Sequence, residues 1–139
     1  MKTLQKFGGF AALYMAAAYL IGMVIFLVIL DYPSITDPAQ KAALLVKMPM
    51  VTFSTNLLMY VFFGVFLIVL SLALYDRLKS GAPAIMQVAT AIGIIWAGSL
   101  IASGMVANAG IAPVVALYAK DSAQAALTWQ GIEIVASGL

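Results

Sequence analysis

Residues 80–119 read SGAPAIMQVATAIGIIWAGSLIASGMVANAGIAPVVALYA, a run of 40 residues between Lys79 and Lys120 without a formal charge. A helix crosses the hydrocarbon core of a bilayer, about 30 Å thick, with about 20 apolar residues. Two further uncharged stretches precede it, Phe7 to Leu30 and Met48 to Tyr75. The chain has 139 residues, 65% of them hydrophobic and only 9% charged. Soluble domains carry about 25% charged residues, so most of these side chains have lipid or protein, not water, as their solvent. The reading is an all-α integral membrane helical bundle, one domain over 1–139, with three transmembrane spans and short outer interfacial helices.

The first span is expected at about 7–30. Its 24 apolar residues exceed the about 7–15 of a signal-peptide core, which marks it as a retained helix. Asp31-Tyr32-Pro33 ends it, because proline disfavours helical geometry in the residue before it. Asp37-Pro38-Ala39-Gln40 is a helix-start signal, with Asp at the N-cap and Pro at the first helical position. It opens an interfacial helix at about 38–47, broken by Pro49. The second span covers about 50–75. A single helix through residues 80–119 would measure about 60 Å, twice the membrane. The third span is therefore expected at about 84–107, with a break at Asn108-Ala-Gly-Ile-Ala-Pro113 and an outer segment over 114–119. Asp121-Ser-Ala-Gln124 caps a last interfacial helix, about 122–138. Asp37–Ala42 and Asp121–Ala126 match at four of six positions, 84 residues apart. The match reads either as an internal repeat, which would leave the architecture incomplete at the C-terminus, or as two helix caps converging on the same residues.

Lys2, Lys6, Arg77 and Lys79 fall on one side of the threaded chain, and Lys41, Lys47 and Lys120 on the other. Basic residues near a span are retained in the cytoplasm, so the expected location is a bacterial cytoplasmic membrane with the N-terminus inside. The net charge of +2 is too small to point to nucleic acid. Cysteine and histidine are both absent. That removes thiolate chemistry, the commonest metal and haem ligand, and the side chain that titrates nearest neutrality. No metal site, cofactor or catalytic residue is expected. Ser103 resembles the serine of an intramembrane protease, but such a serine needs a base, and no histidine exists to supply it.

Thr52, Asn56 and Tyr60 lie at i, i+4 and i+8 and share one helical face. They occupy the outer half of the second span, and Ser99, Ser103 and Asn108 the outer part of the third. The six form either interhelical glue or the polar patch of a pocket for a small amphipathic molecule. Asn56 is expected to bond to the third span, where Ser99 and Ser103 sit at comparable depth. Small residues let helix backbones approach, which marks Gly98 and Ala102 on the third span, and Ala12, Ala16, Ala17, Ala18 and Gly22 on the first, as packing surfaces. Glu133, the one acid inside an apolar segment, either faces water at the interface or is an intramembrane acid, a kind that is often functional.

Gly8-Gly-Phe-Ala-Ala-Leu-Tyr14, Leu74-Tyr-Asp-Arg-Leu78 and Gln87 to Met105 around Trp96 resemble a bacterial family of multi-span membrane proteins known only as a domain of unknown function. The resemblance covers most of the chain, which looks like the family's N-terminal part. It implies further helices beyond Gly138, and no reaction or catalytic residue. The functional expectation is a non-enzymatic accessory or helix-packing component that meets lipid and other membrane helices, its own or those of a larger complex. The alternative is a binder or transporter of a small hydrophobic or amphipathic molecule.

Overall fold

A computed structural model describes residues 2–139, and helix is the only regular structure among them. The helices are α1 (Lys2–Ile29), α2 (Pro38–Lys47), α3 (Pro49–Leu78), α4 (Pro83–Tyr118) and α5 (Ser122–Gly138). Of these, α1, α3 and α4 are long and apolar enough to cross a membrane.

The helix ends follow local chemistry. Asp31 adopts a left-handed conformation (φ 45°) and turns the chain out of α1 into a single 3-10 turn, Tyr32–Ser34. Ser34 Oγ donates to the Asp31 carbonyl at 2.8 Å and fastens that turn. Proline stands at the start of α2, α3 and α4, where its missing N–H would have no helical partner anyway. Asp37 Oδ1 accepts from the Ala39 amide at 3.2 Å, and Asp121 Oδ1 accepts from the Gln124 amide at 3.0 Å. The matching hexapeptides therefore do the same local work. Each caps a helix and buries a small side chain, Ala42 in one and Ala126 in the other.

The helices form a row. α3 packs against α1 on one side and α4 on the other, α5 folds back along α4, and α2 lies across α5. Close approach depends on glycine at the α3–α4 crossing, where a Cβ on Gly64 would sit 2.7 Å from the Ala97 carbonyl oxygen. Gln5 Nε2 donates to the Ala73 carbonyl at 2.9 Å, which sets the start of α1 beside the end of α3. Lys2, Lys6, Arg77 and Lys79 thus gather at one end of the bundle, and Lys41, Lys47 and Lys120 at the other.

Two expectations are corrected. The third long helix does not break at Asn108–Pro113, nor is 114–119 a separate segment: α4 runs for 36 residues, with Pro113 inside it, about 54 Å at 1.5 Å per residue. An interior proline costs a helix about 3 kcal/mol. Packing offsets it here, because Ile111 and Val114 are buried with Leu45 of α2 and with Ala125 and Trp129 of α5. The proline ring and Ala109, whose carbonyl it orphans, lie on the exposed side. Second, residues 122–138 do not lie apart as an in-plane helix. α5 descends beside α4, with Ile132 packed over Gly110 and the Ala136 carbonyl accepting from Ser103 Oγ at 2.7 Å. Ser103 neighbours Gly104, which packs on Tyr60 of α3, so α5 reaches the depth of Tyr60.

Candidate functional site

The row leaves a wedge between α1 and α5. These two helices flank α3 and α4 toward the Lys41 end, and the space between them is a cavity of about 1060 Å³. Its walls are mainly apolar and aromatic, with Tyr19 and Phe26 from α1, Phe63 from α3, Trp96 from α4 and Trp129 from α5. Polar groups enter from Thr52, Thr55, Asn56 and Tyr60 on α3 and from Ser103 on α4, and Lys41 and Glu133, each a quarter exposed, line the same cavity.

α1 holds its place by small residues. Gly8, Ala11, Ala18 and Gly22 are buried, with Gly22 against Met59. Ala18 and Gly22 thus pack as expected, whereas Ala12, Ala16 and Ala17 are exposed. Tyr14 stacks on Phe66, with ring centroids 4.2 Å apart. Its hydroxyl donates to the Leu58 carbonyl at 3.2 Å. That carbonyl lies in a π turn, Leu57–Phe62, which interrupts the α winding of α3. π turns are rare and concentrate at functional sites. This one carries Met59 and Tyr60 into the cavity wall.

The expected polar residues divide. Asn56 does bond to the third long helix, but through Asn108: its Nδ2 donates to Asn108 Oδ1 at 2.9 Å. Asn108 Nδ2 in turn donates to the Phe53 carbonyl at 3.3 Å. Ser103 is not the partner, because its hydroxyl serves Ala136 on α5. Thr52 Oγ1 donates back to the Met48 carbonyl at 3.2 Å, a bond within its own chain segment. Ser99 and Ala102 are half-buried on α4, and neither lines the cavity. Gly98 packs against no helix of this chain. It is exposed, and a Cβ built there meets nothing within 4 Å. The close contacts on α4 fall to Gly104 and Gly110 instead.

Sequence reasoning missed the charged pair in the cavity wall. Lys41 Nζ lies 3.4 Å from Glu133 Oε2 across 92 residues of sequence, and no local pattern announces such a pair. The same ammonium lies over the Tyr32 ring, 4.8 Å from its centroid. Glu133, in α5 and outside the three spans, has its carboxyl pushed above the ordinary glutamate pKa by burial. One turn earlier, Trp129 is 5% exposed and its indole N–H has no hydrogen-bond partner among the described residues. A buried donor left unpaired costs about 1–3 kcal/mol. No cluster of His, Cys, Asp or Glu able to hold a metal exists among the described residues. No family model, curated protein or solved structure matches the chain.

Proposed function

We propose that this chain is a membrane-embedded binding protein for a small amphipathic molecule, held in the wedge between α1 and α5. The observation that carries the reading is the distribution of polarity in the cavity. A mainly apolar and aromatic lining carries a few hydroxyl and amide groups and one charged cluster, where Lys41, Glu133 and Tyr32 converge. Ligand sites have this character: concave, mostly apolar, about 300–1,000 Å³, with a few placed polar groups. The basic end that carries Lys2, Lys6, Arg77 and Lys79 faces the cytoplasm under the rule for basic loops, so the Lys41–Glu133 pair lies toward the opposite side.

The test is to identify what the purified protein carries, by native mass spectrometry, and to repeat it with Ala107→Phe, which puts a ring into the cavity wall. Wild type should carry a small amphiphile that the variant lacks at an unchanged melting temperature. Identical cargo in both would count against the reading. A second reading, the accessory role, is favoured by one observation: Gly9, Gly98 and Gly131 present open, side-chain-free surface on α1, α4 and α5, where a neighbouring helix can approach closely. Crosslinking through Gly98→Cys in membranes would reveal such a neighbour.

A further inference from the structure

We infer that the molecule this cavity takes is a lipophilic cation, an amphiphile whose positive group sits between the Glu133 carboxylate and the Tyr32 ring. The inference rests on the binding reading above and adds the charge of the ligand.

An ammonium already occupies that position. Lys41 Nζ lies 3.4 Å from Glu133 Oε2 and 4.8 Å from the centroid of Tyr32. A carboxylate and an aromatic face are the two groups that recognise an organic cation, the first by charge and the second by its ring quadrupole. The lysine fills the place loosely, since a good charge-assisted bond closes to about 2.7–2.9 Å. Both partners remain a quarter exposed. They also differ in how firmly they are held. Glu133 stands on α5 one turn from Trp129, which is buried in the core with Leu45, Ile111, Val114 and Ala125. Lys41 reaches over from α2 on a flexible four-carbon stem, and such a stem can withdraw its charge into water. A ligand cation would therefore displace the lysine and keep the carboxylate.

The walls agree with this charge. Phe26 packs on Tyr32 with centroids 5.1 Å apart and holds that ring in place. Tyr19, Trp96 and Trp129 bring further aromatic surface to the same cavity. Ring faces carry negative potential and favour cations over anions. Lys41 and Glu133 are the only residues with charged side chains lining the cavity among those described, so once the lysine has withdrawn, the charged side chain left facing the ligand is negative.

Tetraphenylphosphonium and tetraphenylborate have the same shape and opposite charge, and triphenylphosphine oxide supplies an uncharged relative. Their binding to the purified full chain can be read from quenching of Trp96 and Trp129 fluorescence, corrected for empty micelles. The phosphonium should bind at least about tenfold more tightly than the borate, since one partly desolvated charge contact is worth that factor or more. Glu133→Gln should weaken the phosphonium about tenfold and leave the phosphine oxide unchanged. Lys41→Met, which keeps the stem and removes the competing charge, should tighten the phosphonium. A borate preference, or a phosphonium affinity that falls in Lys41→Met, would overturn the inference in favour of an anion site. If the phosphine oxide binds, in a manner lost in Ala107→Phe, while phosphonium and borate bind alike, the charge assignment fails and the cavity reading stands. If none of the three binds, both fall.

Discussion

Asn56 and Asn108 form the one side-chain-to-side-chain hydrogen bond between α3 and α4 among the described residues, at 2.9 Å. Asn56→Leu removes that bond and leaves Asn108 Oδ1 without its donor. Asn108→Leu removes two bonds, because Asn108 also donates to the Phe53 carbonyl at 3.3 Å. The Phe53 carbonyl keeps its helical partner, the Leu57 amide, so it is not orphaned. Polar contacts between membrane helices average about 0.6 kcal/mol and reach about 1.7. The loss expected for Asn56→Leu is then about 0.6–2 kcal/mol, and slightly more for Asn108→Leu. The double variant should lose less than the two singles together, because the bond is counted in both, with a coupling of about 0.5–1.5 kcal/mol. Unfolding in detergent micelles, followed by tryptophan fluorescence and circular dichroism, measures all three. Singles that add to the double within about 0.3 kcal/mol would refute the claim that the pair holds α3 to α4. Asn56 also lines the cavity, so ligand binding should be measured alongside.

Three more outcomes follow from the packing. Gly64→Val should cost about 1–3 kcal/mol, since the new side chain must push α3 from the Ala97 carbonyl, whereas Gly98→Val should stay within about 0.5 kcal/mol in thermal melts; equal losses would contradict the α3–α4 crossing. In intact cells Thr3→Cys and Ser80→Cys should resist an impermeant thiol reagent and Thr36→Cys should react, while labelling of position 80 but not 36 would reverse the orientation. Pro113→Ala should raise stability by up to about 3 kcal/mol, by restoring an amide to the Ala109 carbonyl; a loss would mean that α4 depends on the shape the proline imposes.

The threading was legible because its causes are local. Charge-free runs long enough to span a bilayer, Pro38 at a helix start and two aspartate caps each act within a few residues, and each appears in the structure, although the longest run does not break at Asn108–Pro113. Of the small residues marked on the first span, Gly22 and Ala18 are buried while Ala12, Ala16 and Ala17 are exposed, because small size permits close packing without choosing the face that packs. Gly98 was equally small and meets nothing, because which face of α4 meets α3 depends on the crossing, which composition does not encode. The polar face was half legible. That Asn56 must find a partner on the third long helix followed from the cost of a bare amide in lipid. That the partner is Asn108 required the register of α3 against α4.

Sequence alone determined that this is an all-helical chain with three spans, that histidine and cysteine chemistry is closed to it, and that basic residues collect at two ends. Those facts depend on hydrophobicity and on short-range hydrogen bonding, which each residue carries with it. Only the tertiary structure decided that α4 continues through Pro113, since the burial of Ile111 and Val114 against α2 and α5 outweighs a local penalty. Only it decided that α5 descends along α4 and that a wedge of about 1060 Å³ opens between α1 and α5. The meeting of Lys41 and Glu133, 92 residues apart, belongs to the same class. A site built from side chains on separate helices exists only once the helices have chosen their neighbours, and that choice is a sum over many contacts that no short stretch of sequence contains.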